Sequence, residues 1–468
     1  MRLRPEALLA VAFLATGAAA ETKFEPRISV GEAYESNVTL APPDGELHDW
    51  VTEVKPGFSL SHQGPRLELD LDYDLQALYY AENDDYNDVF NSLYGSGTAE
   101  LIDQRFFLDM DASYYQSNAD PAGRVATSNL YRTGNSTDVG TWQVSPWLRQ
   151  PIGKAAEAML RYTLGQTDFH NTENELSDLE DSDLQRFDFN VGTPADATGW
   201  TWRLDYLNTQ VEYDEAPEYQ YQRAGAELGV PIGSRNHLLM SAGLESDLEE
   251  DRSDAGLDTE WWNVGWRWTP TARQTLEARV GERFWGNDYL FNWKRVGARG
   301  NLELAYAESP ATYGALEFDS GQGPSDGWFG QGRIDTRVYL SKRLSGTAAY
   351  NTARSKLSLR LYRDQRDYLG DPEPGDTFTK DEEYWGVRAG WQWQAWTRTR
   401  LDLNLWWEQR DLAQGDGDLT EITLALVREI TQQVEARLAA SHLNHDAGEG
   451  TLPEYEANTA FLEVTWRR

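Results

Sequence analysis

Four carboxylates stand at alternate positions of one stretch, Glu68, Asp70, Asp72 and Asp74, with Leu67, Leu69, Leu71, Tyr73 and Leu75 between them. Successive side chains of an extended strand point to opposite sides, so this spacing gathers the acids on one face and the apolar residues on the other. A row of carboxylates can hold cations or accept hydrogen bonds from sugar hydroxyls. The arrangement recurs along the chain: Asp109 and Asp111 alternate with Leu108 and Met110, and Arg161 stands between Leu160 and Tyr162. Arg203 and Asp205 alternate with Trp202, Leu204 and Tyr206, while Arg279, Arg388 and Asp402 are each flanked by apolar neighbours. Phe107 and Trp406 fall on the polar face, where a flat ring either packs on other side chains or stacks on the C–H face of a sugar. These residues are the candidate contacts for a solute. The competing expectation is that opposite charges pair across strands and fill the interior.

Other chemistry is poorly supplied. The six histidines include His442 and His445, three apart and therefore on opposite faces of a strand, a poor metal pair. Ser441 and His442 are adjacent, so they too point apart and cannot serve as nucleophile and base. The acidic stretches 173–183, 247–254 and 415–418 have the oxygen ligands that calcium prefers but not the spacing of an EF-hand loop, and read as solvated loop tips. No catalytic group, metal site or cofactor is expected.

The positioning elements are amphipathic strands, long enough to cross a bilayer when tilted, for which about 9–11 residues are needed. The pattern predicts about 22 of them, with 18 or 20 as the alternatives because 288–356 can be divided in more than one way. There, a turn near 296–298 would separate two short strands, and 337–350 reads as one long strand or as a hairpin about 341–343. Short connections, at 62–65, 102–104, 150–153, 232–235, 270–272, 397–399 and 431–432, alternate with long polar ones at 42–49, 118–136, 171–183, 248–257, 321–330, 369–382, 414–418 and 446–455. Short turns on one side and long loops on the other are the arrangement of an all-β, antiparallel transmembrane barrel. On this reading Tyr79 and Tyr80 both reach the outer aromatic girdle, and Trp202, Trp266, Trp268, Trp391 and Trp393 face lipid.

Composition agrees. A mean hydropathy of −0.66 hides membrane strands because the two faces cancel, and no later window is apolar enough for a spanning helix. Arg2 and Arg4, the apolar run 7–17 and Ala18-Ala19-Ala20 read as a signal peptide over 1–20, leaving 21–468 as one barrel domain in the outer membrane. There is no cysteine, hence no disulfide framework. A net charge of −35 argues against nucleic acid as a partner and favours cations or uncharged glycans over anions. The expected partners are outer-membrane lipid and lipopolysaccharide, with polysaccharide and periplasmic export components beside them. The final strand, through Ala460, Leu462, Val464 and Trp466, carries a near-terminal aromatic like that of outer-membrane assembly signals, though Arg467 and Arg468 follow it.

The wording of several strands and loops resembles a family. Glu32-Ala33-Tyr34-Glu35-Ser36-Asn37-Val38-Thr39-Leu40-Ala41-Pro42, Val51-Thr52-Glu53-Val54-Lys55-Pro56-Gly57, Leu75-Gln76-Ala77-Leu78-Tyr79-Tyr80-Ala81 and Leu340-Ser341-Lys342-Arg343-Leu344-Ser345 are similar to stretches of the uncharacterised PEP-CTERM system-associated outer-membrane proteins. The resemblance implies a barrel that accompanies exosortase and exopolysaccharide systems in Gram-negative bacteria. It implies no activity for particular residues. The function expected from these observations is a channel or conduit assisting exopolysaccharide passage through an acidic lumen; the alternatives are a non-conducting surface scaffold and a general cation-selective porin.

Overall fold

A computed structural model describes residues 21–172, 179–194, 197, 199–248, 256–313, 315, 336–369 and 381–468. The segment 1–20, expected to be a signal peptide, most of the acidic stretches 173–183 and 247–254, and the loop 321–330 lie outside them. The described chain is one closed antiparallel sheet of 22 strands.

The first half comprises β1 (Glu21–Glu35), β2 (Asp49–Gln63), β3 (Leu67–Tyr80), β4 (Asp88–Ile102), β5 (Phe106–Asn118), β6 (Ser136–Ile152), β7 (Ala156–His170), β8 (Ser182–Gly192), β9 (Thr201–Tyr213), β10 (Tyr219–Pro231) and β11 (Asn236–Glu245). The second half comprises β12 (Thr259–Thr271), β13 (Gln274–Arg283), β14 (Gly286–Val296), β15 (Gly300–Ala311), β16 (Tyr339–Asn351), β17 (Ser355–Tyr368), β18 (Glu382–Trp396), β19 (Thr399–Leu412), β20 (Gly415–Glu429), β21 (Val434–Gly450) and β22 (Tyr455–Arg467). Each strand pairs with its sequence neighbour, and β22 closes on β1 with Arg27 to Glu35 running against Arg467 to Thr459. Closure pairs the strand edges that an open sheet would leave bare in lipid.

Alternation sorts the two faces. Outward residues include Ile28, Val30, Trp202, Leu204, Trp262, Leu403, Leu405 and Leu462, all exposed, which is how an apolar belt for lipid looks on an isolated barrel. The belt does not run the full strand length: on β17 the outward series goes from Leu357, Leu359 and Leu361 to Arg363, Gln365 and Asp367. The strands therefore project beyond the apolar belt at the end that carries the long loops. That end is called here the loop end, and the opposite one the turn end.

Three local expectations are settled by the pairing. The ambiguous region resolves into β14, a turn at 297–299, β15 and an unbroken β16, so 341–343 is strand and not a hairpin. The polar stretch 415–418 is not a loop but the start of β20, and β21 runs to Gly450, where the pairing ends at Gly415–Gly450. Glycine-aspartate alternation offers no apolar signal, yet the backbone ladder continues above the apolar belt, where side chains need not be greasy. Tyr79 is 53% exposed and faces outward as a girdle residue should, but Tyr80 is 4% exposed and turns inward, since adjacent strand residues cannot share a face.

Candidate functional site

The barrel interior is the site, and it divides into a loop-end half packed with side chains and a turn-end half in which inward polar groups reach solvent. The packed half is built around residues 119–135, the connection from β5 to β6. This segment leaves the wall and crosses the lumen as a strap. Near its start Ala122 packs against Tyr384 of β18, Leu412 of β19 and Leu452. Its middle joins an inner core of Leu40, Ala126, Tyr131, Leu419, Leu443, Tyr455 and Ala457, against which Trp406 also packs. At this strand number the lumen is wide enough to take up folded polypeptide.

Hydrogen bonds fix the strap at both flanks. Asn118 pairs with both backbone groups of Ala126, at 2.9 and 3.0 Å, and Asn135 binds the carbonyls of Asp120 and Arg124 at 2.8 and 3.2 Å. Across the lumen the Val125 N–H donates to the Tyr455 hydroxyl at 3.1 Å, and Thr127 donates to Glu421 at 3.4 Å. On the near side the Tyr80 hydroxyl donates to the Leu130 carbonyl at 2.9 Å, Asn129 to Gln76 at 2.8 Å, and Arg132 to Asp88 at 3.0 Å. The Arg132 N–H also donates to the carbonyl of Val38 at 2.7 Å, which ties the strap to the β1–β2 loop. Burial pushes the Tyr131 phenol well above its ordinary range, so it stays neutral beside Thr459, 3.3 Å away. A second apolar cluster joins Leu184, Val211, Tyr219, Tyr221 and Leu248 at the loop end of β8 to β11 to Val338 just before the start of β16.

The register places Glu68, Asp70, Asp72, Asp74, Asp109, Asp111, Arg161, Arg203, Asp205, Arg279, Arg388, Asp402, Phe107 and Trp406 on the inward face, but it does not bring them to one point. They fall into separate clusters around the wall. Arg27 of β1 reaches over β2 to bind Asp72 at 2.6 and 3.0 Å and Asp74 at 2.7 and 3.0 Å. Gly57 makes that reach possible, because a Cβ there would lie 2.0 Å from the Asp74 carboxylate. Arg161 binds Asp109 at 2.6 Å, and Gln143 donates to Asp111 at 3.2 Å. Arg279 joins Glu277 at 2.6 Å and Glu227 at 2.7 Å; Arg267 meets the same Glu277 at 2.8 Å, and Arg203 lies 3.7 Å from Glu227. Arg400 holds both oxygens of Asp402 at 2.8 Å. Glu68 and Asp70 stay exposed at the turn end and, among the described residues, take no charged partner.

The aromatics are likewise engaged. Phe107 stacks on Trp147 with centroids 4.1 Å apart and planes at 13°, and the Arg161 guanidinium lies 5.6 Å from the Trp147 ring. Arg388 lies 4.1 Å from the Trp406 ring, whose Nε1 donates to the Tyr362 hydroxyl at 3.1 Å; that hydroxyl in turn donates to Glu408. Each guanidinium over an aromatic face contributes on the order of 0.5–2 kcal/mol. Sequence reasoning missed Trp147 and Trp261 as inward rings. Trp147 follows Pro146 inside an apolar run, and Trp261 is half of a Trp-Trp doublet of which alternation must send one member each way.

The chemistry set aside from the sequence can also be placed. Ser441 pairs with Thr423 and Thr459, whereas His442 lies on the other face with its ring 2.9 Å from Asn458. His445 is buried, stacked on Tyr455 at 5.1 Å with Nδ1 2.6 Å from the Pro453 carbonyl oxygen. No group of ligating side chains suited to a metal ion occurs among the described residues.

No family model and no curated protein matches the chain. Among solved structures, a mutant of the ferric enterobactin receptor PfeA from Pseudomonas aeruginosa in complex with enterobactin matches with a TM-score of 0.50 at 11% identity, over 97% of this chain and 82% of that one. OpdK from the same organism, with vanillate, matches over 95% of this chain and 98% of its own at 12% identity, with a TM-score of 0.33. The fold is that of an outer-membrane β-barrel. At these identities the likeness speaks for the architecture alone.

Proposed function

We propose that the chain is an outer-membrane conduit that assists passage of exopolysaccharide, with the turn end in the periplasm and the loop end outside. The observation that carries this reading is the inward wall itself. Its carboxylates and guanidiniums are mostly compensated in pairs, so the wall offers many hydrogen-bond donors and acceptors with little net field. An uncharged hydroxylated chain can exchange such contacts step by step, and weak, repeated binding is what passage requires. Glu68 and Asp70 at the turn-end mouth would draw cations toward the entrance. The wording shared with the PEP-CTERM-associated barrels supports the choice of glycan.

The buried core around Leu40, Ala126, Tyr131 and Tyr455 favours a second reading, a non-conducting scaffold closed by its own strap. Swelling of proteoliposomes in isotonic neutral saccharides separates the two. Folded barrel is expected to admit mono- and oligosaccharides at rates that fall with their size; vesicles that hold folded barrel and do not swell would favour the scaffold.

A further inference from the structure

We propose that Arg223, held over the ring of Trp261, is a binding station for a carboxylate carried by a sugar chain in the lumen. Trp261 of β12 lies opposite Gly243 of β11, which lies opposite Gly225 of β10. A Cβ on Gly225 would stand 2.5 Å from the indole Cζ2 and one on Gly243 2.8 Å from Nε1, so the indole lies down on two strands that have no side chain to obstruct it. Its Nε1 donates to the Ala224 carbonyl at 3.3 Å, which fixes the ring's rotation. Trp261 is 2% exposed, and the Arg223 guanidinium covers it 3.9 Å from the ring centroid.

What sets Arg223 apart is a buried Nε without an acceptor on a guanidinium that no carboxylate of the described residues pairs with. Inward arginines such as Arg27, Arg161, Arg267, Arg279, Arg283 and Arg410 each meet a carboxylate. Among the described residues the Arg223 guanidinium makes no hydrogen bond and no ion pair, and its Nε is buried without an acceptor. Asp205, on the neighbouring strand opposite Gly225, does not pair with it. Glu245, directly opposite Arg223 on β11, is already taken by Arg283, which also binds Tyr221.

A guanidinium has only donors, in a planar fork that matches a carboxylate, and stacking on the indole has already removed much of its rotational freedom. A neutral hydroxyl would give the fork only ordinary hydrogen bonds, whereas charge-assisted bonds to an oxyanion are about twice as strong. The overall negative charge of the chain does not oppose this locally, because solvent-exposed charges are screened beyond roughly 8 Å at physiological ionic strength. The assignment takes the sugar chain from the conduit reading and adds the carboxylate to it. Its test is an equilibrium measurement, so a failure of passage and a failure of binding are told apart.

The experiment is calorimetric titration of the detergent-folded barrel with an oligogalacturonate and with the matching neutral galactose oligomer. Wild-type protein is expected to favour the acidic oligomer by roughly tenfold, as one charge-assisted pair supplies. Arg223→Gln should abolish that preference, and Trp261→Leu should weaken it by freeing the arginine, with folding of both checked by heat-modifiable gel mobility. Equal affinity for the two oligomers in wild type, or an undiminished preference in folded Arg223→Gln, would overturn the assignment.

Discussion

Arg27 shows how single residues decide what the acidic strand can do. Asp72 and Asp74 look from the sequence like free carboxylates, and their compensating charge comes from a residue two strands away across Gly57. Replacing Arg27 by Ala leaves two like charges side by side. With Asp72 half exposed to water, the expected loss is about 1–3 kcal/mol of stability, read as a lower urea midpoint for the heat-modifiable band. Adding Asp72→Asn and Asp74→Asn should recover most of that loss. An unchanged midpoint in Arg27→Ala would show that the cluster carries no weight. That opposite charges pair across strands was one of the two expectations, but Arg27 as the partner was not legible, because the pattern that puts acids on one face is silent about what reaches them. Glu68 and Asp70, exposed and uncompensated, are the part of the row that stands as the alternation suggested.

At the scale of elements, the strands were the legible part and the strap was not. β3, β5, β9 and β19 follow from two-residue alternation, which reports burial on one face at a time. Residues 119–135 carry no such period, and their partners, Tyr80, Tyr455, Glu421 and Val38, lie far away in sequence. Small residues such as Ala119, Ala122 and Ala126 read as an ordinary polar loop, yet they pack closely because they are small. The tethers make a prediction. Tyr80→Phe with Tyr455→Phe removes the hydroxyls that hold Leu130 and Val125 while keeping both rings in place. Limited proteolysis should then cut within 119–135 several-fold faster than in wild type, with the barrel's own unfolding free energy lowered by no more than about 2 kcal/mol. Cleavage at the wild-type rate would mean that apolar packing alone holds the strap.

For the molecule as a whole, the strand number sets the width and the strap sets how much of that width is available. A closed sheet of 22 strands surrounds a lumen far broader than its own side chains can fill. The charges that line it are mostly paired, and polypeptide from the long loops occupies its loop-end half. The most direct test of a conduit narrowed in this way is single-channel current in a planar bilayer, comparing wild type with a barrel in which residues 120–134 are replaced by a short turn. A stable, weakly cation-selective current is expected from wild type, with conductance raised several-fold and selectivity reduced in the shortened protein. A silent bilayer with both proteins folded, or identical conductance in the two, would contradict it.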